Sequence, residues 1–190
     1  FGFHRLAING YQKKESEQPI ELKGCYLICN GEIYNWKKLH EEVKIETTTF
    51  SDCEIIIHLY KLFGIKYTLQ KLDGVFSFIL MDTIENKVIV ARDQFGVRPL
   101  FECEIEQNKY IFASEMKMIS RFTENEIKQF TPGCFKTIKN GVTVEEKFSI
   151  VSPLEINFTL EESLKLVKTS FTNAVIKRVT STDREIACLL

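Results

Sequence analysis

Three segments of the sequence carry side chains that could bind or stabilise charge. Arg5 stands in the otherwise apolar run Phe1–Ile8, where an arginine needs an anionic partner. Asn30 and Gly31 follow a strand signal directly, and an Asn side-chain N–H beside a bare backbone N–H could form a two-donor oxyanion hole. Asp52 sits at the start of a helix signal. The last two have a plainer interpretation, since an isolated Asn-Gly usually marks a turn and an acidic helix start usually compensates the helix dipole.

A fourth segment, Arg92–Leu100, places an Arg-Asp pair at a strand end, followed by a turn that contains glycine and proline. Arginine and aspartate at a buried turn commonly act together as a structural clamp, because charge-assisted hydrogen bonds fix the backbone around them. We therefore expect Arg92 and Asp93 to hold the fold rather than to meet a ligand.

The composition excludes several classes of function. The chain has 190 residues, with 25 Lys and Arg against 26 Asp and Glu, and a formal net charge of -1. Evenly mixed charges of this kind remove the electrostatic case for a nucleic-acid-binding protein or a polybasic membrane-surface protein. No stretch approaches about 18 apolar residues, so we expect no membrane-spanning segment.

The cysteines and histidines do not form a metal-site pattern. No two cysteines have C-x-x-C spacing, and the histidines lie far apart, whereas a zinc site needs clustered ligands. We therefore expect no metal, buried free thiols and a cytoplasmic location in a reducing compartment. The residues concerned are Cys25, Cys29, Cys53, Cys103, Cys134, Cys188, His4, His40 and His58.

Short strand signals dominate the first 150 residues and must position these side chains. The run Phe1–Ile8 reads as the middle of a strand, and the apolar run Arg184–Leu190 at the other end reads as a buried parallel strand. Both ends therefore look like cuts through a longer protein. The other predicted strands are residues 25–29, a hairpin of 76–81 with 87–91, 110–113, and 134–138 entering a turn at Asn140-Gly141.

Helix signals interrupt and then follow this series. A capping box at Ser51 and Glu54 predicts a helix over residues 51–63 that Gly64 ends. A weaker pattern predicts a helix at 36–43, and a second capping box at Thr159 opens a long amphipathic helix to about residue 179. Together these patterns predict an α+β domain over residues 1–150 and the first helix and strand of an α/β domain over residues 151–190.

Taken together, these segments resemble a known family, the class II (N-terminal-nucleophile) glutamine amidotransferase domain of glutamine-hydrolysing asparagine synthetases. The run from residue 159 to the end is similar to the lead-in of the synthetase half, which separates the chain from phosphoribosyl- and glucosamine-forming relatives. The segments that carry the resemblance are 1–7, 30–35, 53–60, 72–78, 92–100, 113–117 and the Pro132-Gly133 turn.

The resemblance implies a fold and a domain order. Residues 1–150 would form the four-layer αββα sandwich of N-terminal-nucleophile hydrolases, as a truncated type 2 amidotransferase domain. Residues 151–190 would open the ATP-binding synthetase domain, which is nucleotide α-hydrolase-like.

The resemblance also implies a glutamine site. Glutamine carries an α-carboxylate and an α-ammonium group, so its site needs one fixed cation and one fixed anion. Arg5 would hold the carboxylate as a bidentate clamp, and Asp52 would hold the ammonium. The other implied positions are Leu6, Ala7, Ile8 and Asn9 in the pocket wall, Asn30 and Gly31 as the oxyanion hole, Glu32 in the same loop, and Leu189 at ATP.

The family's nucleophile is a cysteine at the mature N-terminus, whose own α-amine acts as the base. None of the six internal cysteines can replace it, because an amide nitrogen is not a base. We therefore expect the 190-residue piece to be inactive by itself. The full-length parent would hydrolyse glutamine through a Cys thioester and use the ammonia with aspartate, ATP and Mg²⁺ to make asparagine. The resemblance implies that the glutaminase domain binds no cofactor, and it is compatible with a homodimer. The mixed charges argue against a nucleic-acid or membrane partner.

Two other functions stay open. The chain could belong to another class II amidotransferase, or to a β-lactam-synthetase-like enzyme built on the same two domains. It could also be a degenerate binding module that kept the fold and lost the chemistry.

Overall fold

The computed structural model describes residues 1–149 and 158–188. Strands and helices alternate irregularly along the described residues, as expected for a mixed α and β protein. The strands are β1 (Ile20–Leu22), β2 (Cys25–Ile33), β3 (Gly74–Asp82), β4 (Lys87–Arg92), β5 (Phe101–Glu106), β6 (Lys109–Ala113), β7 (Lys128–Gln129), β8 (Cys134–Lys139) and β9 (Val142–Lys147). The α-helices are α1 (Trp36–Val43), α2 (Glu54–Lys71), α3 (Met116–Ile119) and α4 (Leu160–Thr180), and a short 3-10 helix covers Lys14–Ser16.

Two antiparallel sheets organise the described residues. One sheet has six strands in the order β1-β2-β3-β4-β8-β9, and the other has three in the order β6-β5-β7. The predicted β3–β4 hairpin is confirmed, with Asp82 paired to Lys87. The predicted turn at Asn140-Gly141 is confirmed as well, since both residues have positive φ (52° and 72°), as a tight hairpin turn requires.

The six-stranded sheet has a core on each face, because successive side chains of a strand point to opposite faces. On β4, Ile89 and Ala91 join the core beneath α1 and α2, whereas Val90 joins the core shared with the three-stranded sheet. The second core is completed by Leu100 and Phe130. The order of layers is therefore helices, six-stranded sheet and three-stranded sheet.

The second helix departs from its prediction at both ends. Cys53 is its N-cap, without a side-chain cap, so the predicted Ser51–Glu54 capping box is wrong. The reason is that the Glu54 carboxylate is fully buried and accepts hydrogen bonds from Thr47, Thr48 and Thr49 instead. At the far end, Gly64 breaks the helix with φ 80° and ψ 170°, but a second helical stretch continues to Lys71.

The long helix α4 is confirmed, together with its capping box at Thr159 and Glu162. Its apolar stripe, however, is not covered by the described part of the chain. Leu164, Val167 and Phe171 are 62%, 66% and 70% exposed. An amphipathic helix with an open apolar face is typical of an element whose packing partner lies elsewhere.

The two predicted terminal strands are wrong within the described residues. Phe1–Ala7 has no strand structure, because none of the described strands pairs with it and Leu6 is 90% exposed. Glu185–Cys188 is likewise unpaired and exposed, and Leu189 and Leu190 lie outside the described residues. The predicted domain boundary at residues 150–151 also lies outside them and stays a prediction. The six cysteines are free, and all except Cys188 are buried as expected.

Candidate functional site

Asp52 is a buried carboxylate at the entrance to α2, with only 5% of its surface exposed. It accepts a hydrogen bond from the Ile33 backbone N–H at 2.8 Å, which ties it to the end of β2. Burial raises the pKa of Asp52, although the hydrogen bond from Ile33 and the neighbouring Asn9 side chain act in the opposite direction. No lysine, arginine or histidine of the described residues lies within 4.0 Å of its carboxylate, so a cationic ligand group would relieve a real electrostatic cost.

Arg5 is half-buried, and some of its N–H donors are not used within the described residues. Its guanidinium donates to Ser16 Oγ at 2.5 Å and to the Asn9 carbonyl oxygen. Ser16 is fully buried and in turn donates to the Gly10 carbonyl oxygen at 2.6 Å. A guanidinium has five N–H donors in a planar fork, so Arg5 has donors left for a carboxylate. Among the described residues, no acidic side chain forms a salt bridge with it.

Asn9 connects the two charged residues. It is 5% exposed, its carbonyl oxygen accepts from Arg5, and its side chain lies close enough to Asp52 to oppose the rise in the pKa of that carboxylate. The structure therefore brings Arg5 and Asp52 to the two sides of one buried residue. The sequence placed Asn9 in the pocket wall but offered no signal for this bridging role.

Asn30 and Gly31 lie within β2, paired with Ser77 and Phe76 of β3, so the turn interpretation of Asn-Gly is wrong. Glycine is needed at position 31, because a Cβ there would lie 2.3 Å from the Val75 carbonyl oxygen. The Asn30 side chain points to the three-stranded-sheet side and reaches Ser114 Oγ at 3.4 Å, a long and weak contact.

The three predicted charge-binding groups are therefore only partly assembled. Asp52 holds the end of β2 at Ile33, and Asn30 lies three residues earlier on that strand, about 10 Å away at the usual strand rise. No described hydrogen bond joins Asn30 to Arg5 or Asp52. Convergence of all three on one pocket stays a prediction.

Glu32 forms an ion pair with Arg98, with 2.8 Å between the carboxylate and guanidinium atoms. Because Glu32 lies two residues after Asn30 on β2, both side chains share one face of the strand. Arg98 belongs to the Arg92–Leu100 segment, so this pair ties that segment to the candidate oxyanion donors. The sequence did not predict the contact. Leu189, the predicted ATP contact, lies outside the described residues.

The predicted structural role of Arg92 and Asp93 is confirmed. Each is 2% exposed. The Arg92 guanidinium donates to three backbone carbonyls at 2.7–2.8 Å, and burial lowers its pKa. The carbonyls belong to Arg98, Phe130 and Gly96, and the backbone N–H donors to the Asp93 carboxylate belong to Phe76, Phe95, Val97 and Arg98.

The sequence did not predict that the Glu54 carboxylate fixes the loop before Asp52. Glu54 accepts from the threonines at 47–49 and from His58 Nε2 at 3.0 Å. Burial raises the pKa of Glu54, but these hydrogen bonds outweigh it and hold the pKa below its ordinary value. Three consecutive threonines before a helix-start glutamate were the available signal.

A cleft of about 610 Å³ lies elsewhere, between the start of β3, the turn after Asp93 and helix α4. Its wall includes Tyr34, Phe76, Gln94 and Lys177. None of the predicted glutamine-site residues lines it, so cavity size does not mark the candidate site.

Within residues 1–149 and 158–188, no three His, Cys, Asp or Glu side chains are grouped so that they could hold a metal ion. No helix in the same ranges combines the length and apolarity needed to cross a bilayer.

Comparison with known proteins adds a family. Residues 1–130 match the family described as the glutamine amidotransferase domain. The chain is 36% identical to an asparagine synthetase [glutamine-hydrolyzing] of Homo sapiens and 37% identical to that of Bos taurus. Each match covers 100% of this chain and 38% of the relative, so the chain spans under two fifths of the length of these curated relatives.

Solved structures show the same likeness. A glutamine phosphoribosylpyrophosphate amidotransferase from B. subtilis, in complex with ADP and GMP, aligns with a TM-score of 0.63 at 27% identity. That match covers 72% of this chain and 33% of the other. A glutamine aminotransferase class-II domain protein from Silicibacter pomeroyi aligns with a TM-score of 0.51 at 14% identity, over 68% of this chain and 70% of its own, which shows the fold alone.

Proposed function

The chain belongs to the glutamine amidotransferase family, and on that premise we propose that it forms the glutamine-binding part of a glutamine-hydrolysing asparagine synthetase. The observation that carries the proposal is a pair of opposite charges on two sides of Asn9. Asp52 is buried without a cation among the described residues, and Arg5 is half-buried without an anion among them. An α-amino acid supplies one partner to each.

The two charged groups divide the amino acid between them. The carboxylate of glutamine would take the free N–H donors of Arg5 in a bidentate, charge-assisted arrangement. The ammonium would lie against Asp52 and offset the cost of burying that carboxylate. Asn9, whose carbonyl oxygen accepts from Arg5 and whose side chain lies beside Asp52, would set the distance between the two ends.

The amide end of glutamine would meet the donors on β2. In amide hydrolysis the carbonyl oxygen becomes an oxyanion, which needs N–H donors placed in advance. We assign the Asn30 side chain and the Gly31 backbone to this role. The long contact from Asn30 to Ser114 leaves the amide easy to redirect, and the Glu32–Arg98 ion pair steadies the same strand face.

The buried cysteines do not suit the nucleophile's role. Burial raises the pKa of Cys25 and Cys134, and the neighbouring Cys29 thiol together with burial raises that of Cys53 well above its ordinary value. A thiol held protonated is a poor nucleophile. We therefore assign the nucleophile to a cysteine at the N-terminus of the longer protein, so the 190-residue chain alone should not hydrolyse glutamine.

The rest of the chain supports the synthetase over another amidotransferase. The match to asparagine synthetases runs through the whole chain, whereas the match to the phosphoribosylpyrophosphate enzyme covers 72% of it. The open apolar face of α4 is what the first helix of a second domain would offer to that domain. The four-layer αββα fold, the ATP, Mg²⁺ and aspartate sites, the homodimer and the cytoplasmic location belong to this proposal.

The full-length protein tests it. Expressed from the complete gene, it should release ammonia from glutamine and should form asparagine with AMP and pyrophosphate only when aspartate and ATP are present. Glutaminase activity with a different, aspartate-independent acceptor would support another class II amidotransferase. Glutamine binding without hydrolysis would support the degenerate module. The 190-residue chain is the matched control and should show no turnover.

A further inference from the structure

The segment that follows α4 is hydrogen-bonded to the backbone on both sides of Asn9. Thr182 Oγ1 donates to the Ile8 carbonyl oxygen at 2.9 Å, and the Asp183 backbone N–H donates to the same oxygen at 3.3 Å. On the other side, the Gly10 backbone N–H donates to Asp183 Oδ2 at 3.0 Å. Two residues after a long helix thus hold Ile8 and Gly10, one on each side of Asn9, across more than 170 positions of sequence.

Ile8 and Gly10 flank Asn9, the residue that lies between Arg5 and Asp52. Gly10 is buried with φ +62°, and a Cβ there would lie 2.7 Å from Ser16 Cβ, so its backbone has little alternative space. A carboxylate that accepts a backbone N–H makes a stronger hydrogen bond than a neutral acceptor does. The Asp183 contact therefore fixes the peptide that directly follows Asn9.

We propose that Thr182 and Asp183 are positioning residues for glutamine. They hold the Ile8–Gly10 backbone so that Asn9 can keep Arg5 and Asp52 at the spacing of the two charged ends of the substrate. This inference rests on the proposed function. It makes the start of the second domain a part of the glutamine site, so that a shift of this segment changes glutamine affinity.

Other contacts of α4 show what a purely attaching role would look like. Lys177 pairs with Asp73, and Arg178 lies 4.6 Å from the Tyr34 ring centroid. These contacts hold the same helix to the same body, but they do not touch residues 5–10. If Asp183 only attached the segment, its loss would resemble the loss of Lys177.

The test compares Asp183→Ala, Asp183→Asn and Lys177→Met in the full-length protein. We expect Asp183→Ala to raise the KM for glutamine about tenfold, since a hydrogen bond to a charged group is lost. The kcat and the activity with ammonia in place of glutamine should stay unchanged. Asp183→Asn keeps an oxygen acceptor for the Gly10 N–H and should recover most of the affinity. Lys177→Met should keep the wild-type KM.

Hydrogen exchange of the Gly10 amide reports directly on its hydrogen bond to Asp183, whereas the KM reports the effect of that bond on glutamine binding. Asp183→Ala should lose protection there, and Asp183→Asn should keep it. If the alanine variant fails to fold, Thr182→Val serves instead, with about a threefold rise in the KM for glutamine expected from one neutral hydrogen bond.

Three results would overturn the inference. The first is an unchanged KM for glutamine in Asp183→Ala or, where that variant does not fold, in Thr182→Val. The second is an equal loss of glutamine-dependent and ammonia-dependent activity. The third is an equal rise in the KM for glutamine in Asp183→Ala and in Lys177→Met. A wild-type protein that neither hydrolyses nor binds glutamine would instead overturn the proposed function, and this inference with it.

Discussion

Two arginine and aspartate combinations in this chain have opposite surroundings. Arg92 and Asp93 are buried, and their hydrogen bonds go to seven backbone groups of the surrounding turn and strands. Arg5 has one side-chain and one backbone acceptor, and Asp52 accepts from one backbone N–H, that of Ile33. The fold therefore satisfies the hydrogen-bonding groups of Arg92 and Asp93, but it leaves those of Arg5 and Asp52 partly unsatisfied.

Whether the fold satisfies a buried charge distinguishes structural residues from binding residues more clearly than residue type or burial does. A buried charge that the fold has satisfied contributes stability, and a buried charge that the fold has left unpaired costs stability until a ligand arrives. Asp52 and Asp93 are similarly buried, yet only Asp52 lacks a full set of donors. Substitutions at the two sites should therefore affect different quantities.

The largest effect is expected at the occupied site. Asp93→Ala removes the acceptor of four buried backbone N–H groups and should lower the free energy of unfolding by about 3 kcal/mol or more. Urea denaturation measures this. Asp73→Ala is the matched control, because its partner Lys177 is about half exposed and the loss should stay under about 1 kcal/mol. Equal losses in the two variants would remove the contrast.

Substitution of Asp52, by contrast, should mainly weaken glutamine binding. Asp52→Asn can still accept from the Ile33 N–H, so the free energy of unfolding should change by about 1 kcal/mol or less. Glutamine affinity of the full-length protein should fall about 10–100-fold, as the loss of a charge-assisted contact implies. A loss in the free energy of unfolding as large as that of Asp93→Ala would instead make Asp52 a structural residue like Asp93.

The pH dependence should follow the raised pKa of Asp52. Because burial favours the protonated carboxyl in the folded state, stability falls as pH rises from the ordinary value of 3.8 through the raised pKa. Glutamine's ammonium favours the ionised form, so glutamine affinity should increase over the same range. Calorimetric titration of the wild type should show proton release on binding there, and Asp52→Asn should show none. Release of equal size in both proteins would exclude Asp52 as its source.

The smallest effect is expected at Glu32. Its ion pair with Arg98 is partly exposed, so Glu32→Gln should cost under about 1 kcal/mol of stability. The KM for glutamine should change less than twofold, because the proposed site assigns the two charged ends of glutamine to Arg5 and Asp52 and leaves Glu32 paired with Arg98. A loss of glutamine affinity as large as that of Asp52→Asn would make Glu32 a direct ligand contact.

The sequence predicted those elements whose signals are local. Thr159 and Glu162 cap α4, and Asn140-Gly141 turns the last hairpin, because each signal acts within a few residues. The Ser51–Glu54 box failed because tertiary contacts claimed the carboxylate of Glu54.

For the site, the sequence supplied residue types but not their connections. Arg5 and Asp52 were identified, yet nothing local indicates that Asn9 joins them or that Asp183 holds the next peptide. The strand predicted at Phe1–Ile8 failed for the same reason. A strand needs a partner that its own sequence does not specify.

The most direct measurement is the affinity of the full-length protein for glutamine and for two analogues, one lacking the α-amino group (glutaramate) and one lacking the α-carboxylate (γ-aminobutyramide). We expect Asp52→Asn to weaken glutamine about 10–100-fold while leaving glutaramate affinity unchanged, and Arg5→Met to weaken glutamine while leaving γ-aminobutyramide unchanged. Equal weakening of glutamine and of the matching analogue by either substitution would contradict the assignment of Arg5 and Asp52 to the two charged ends.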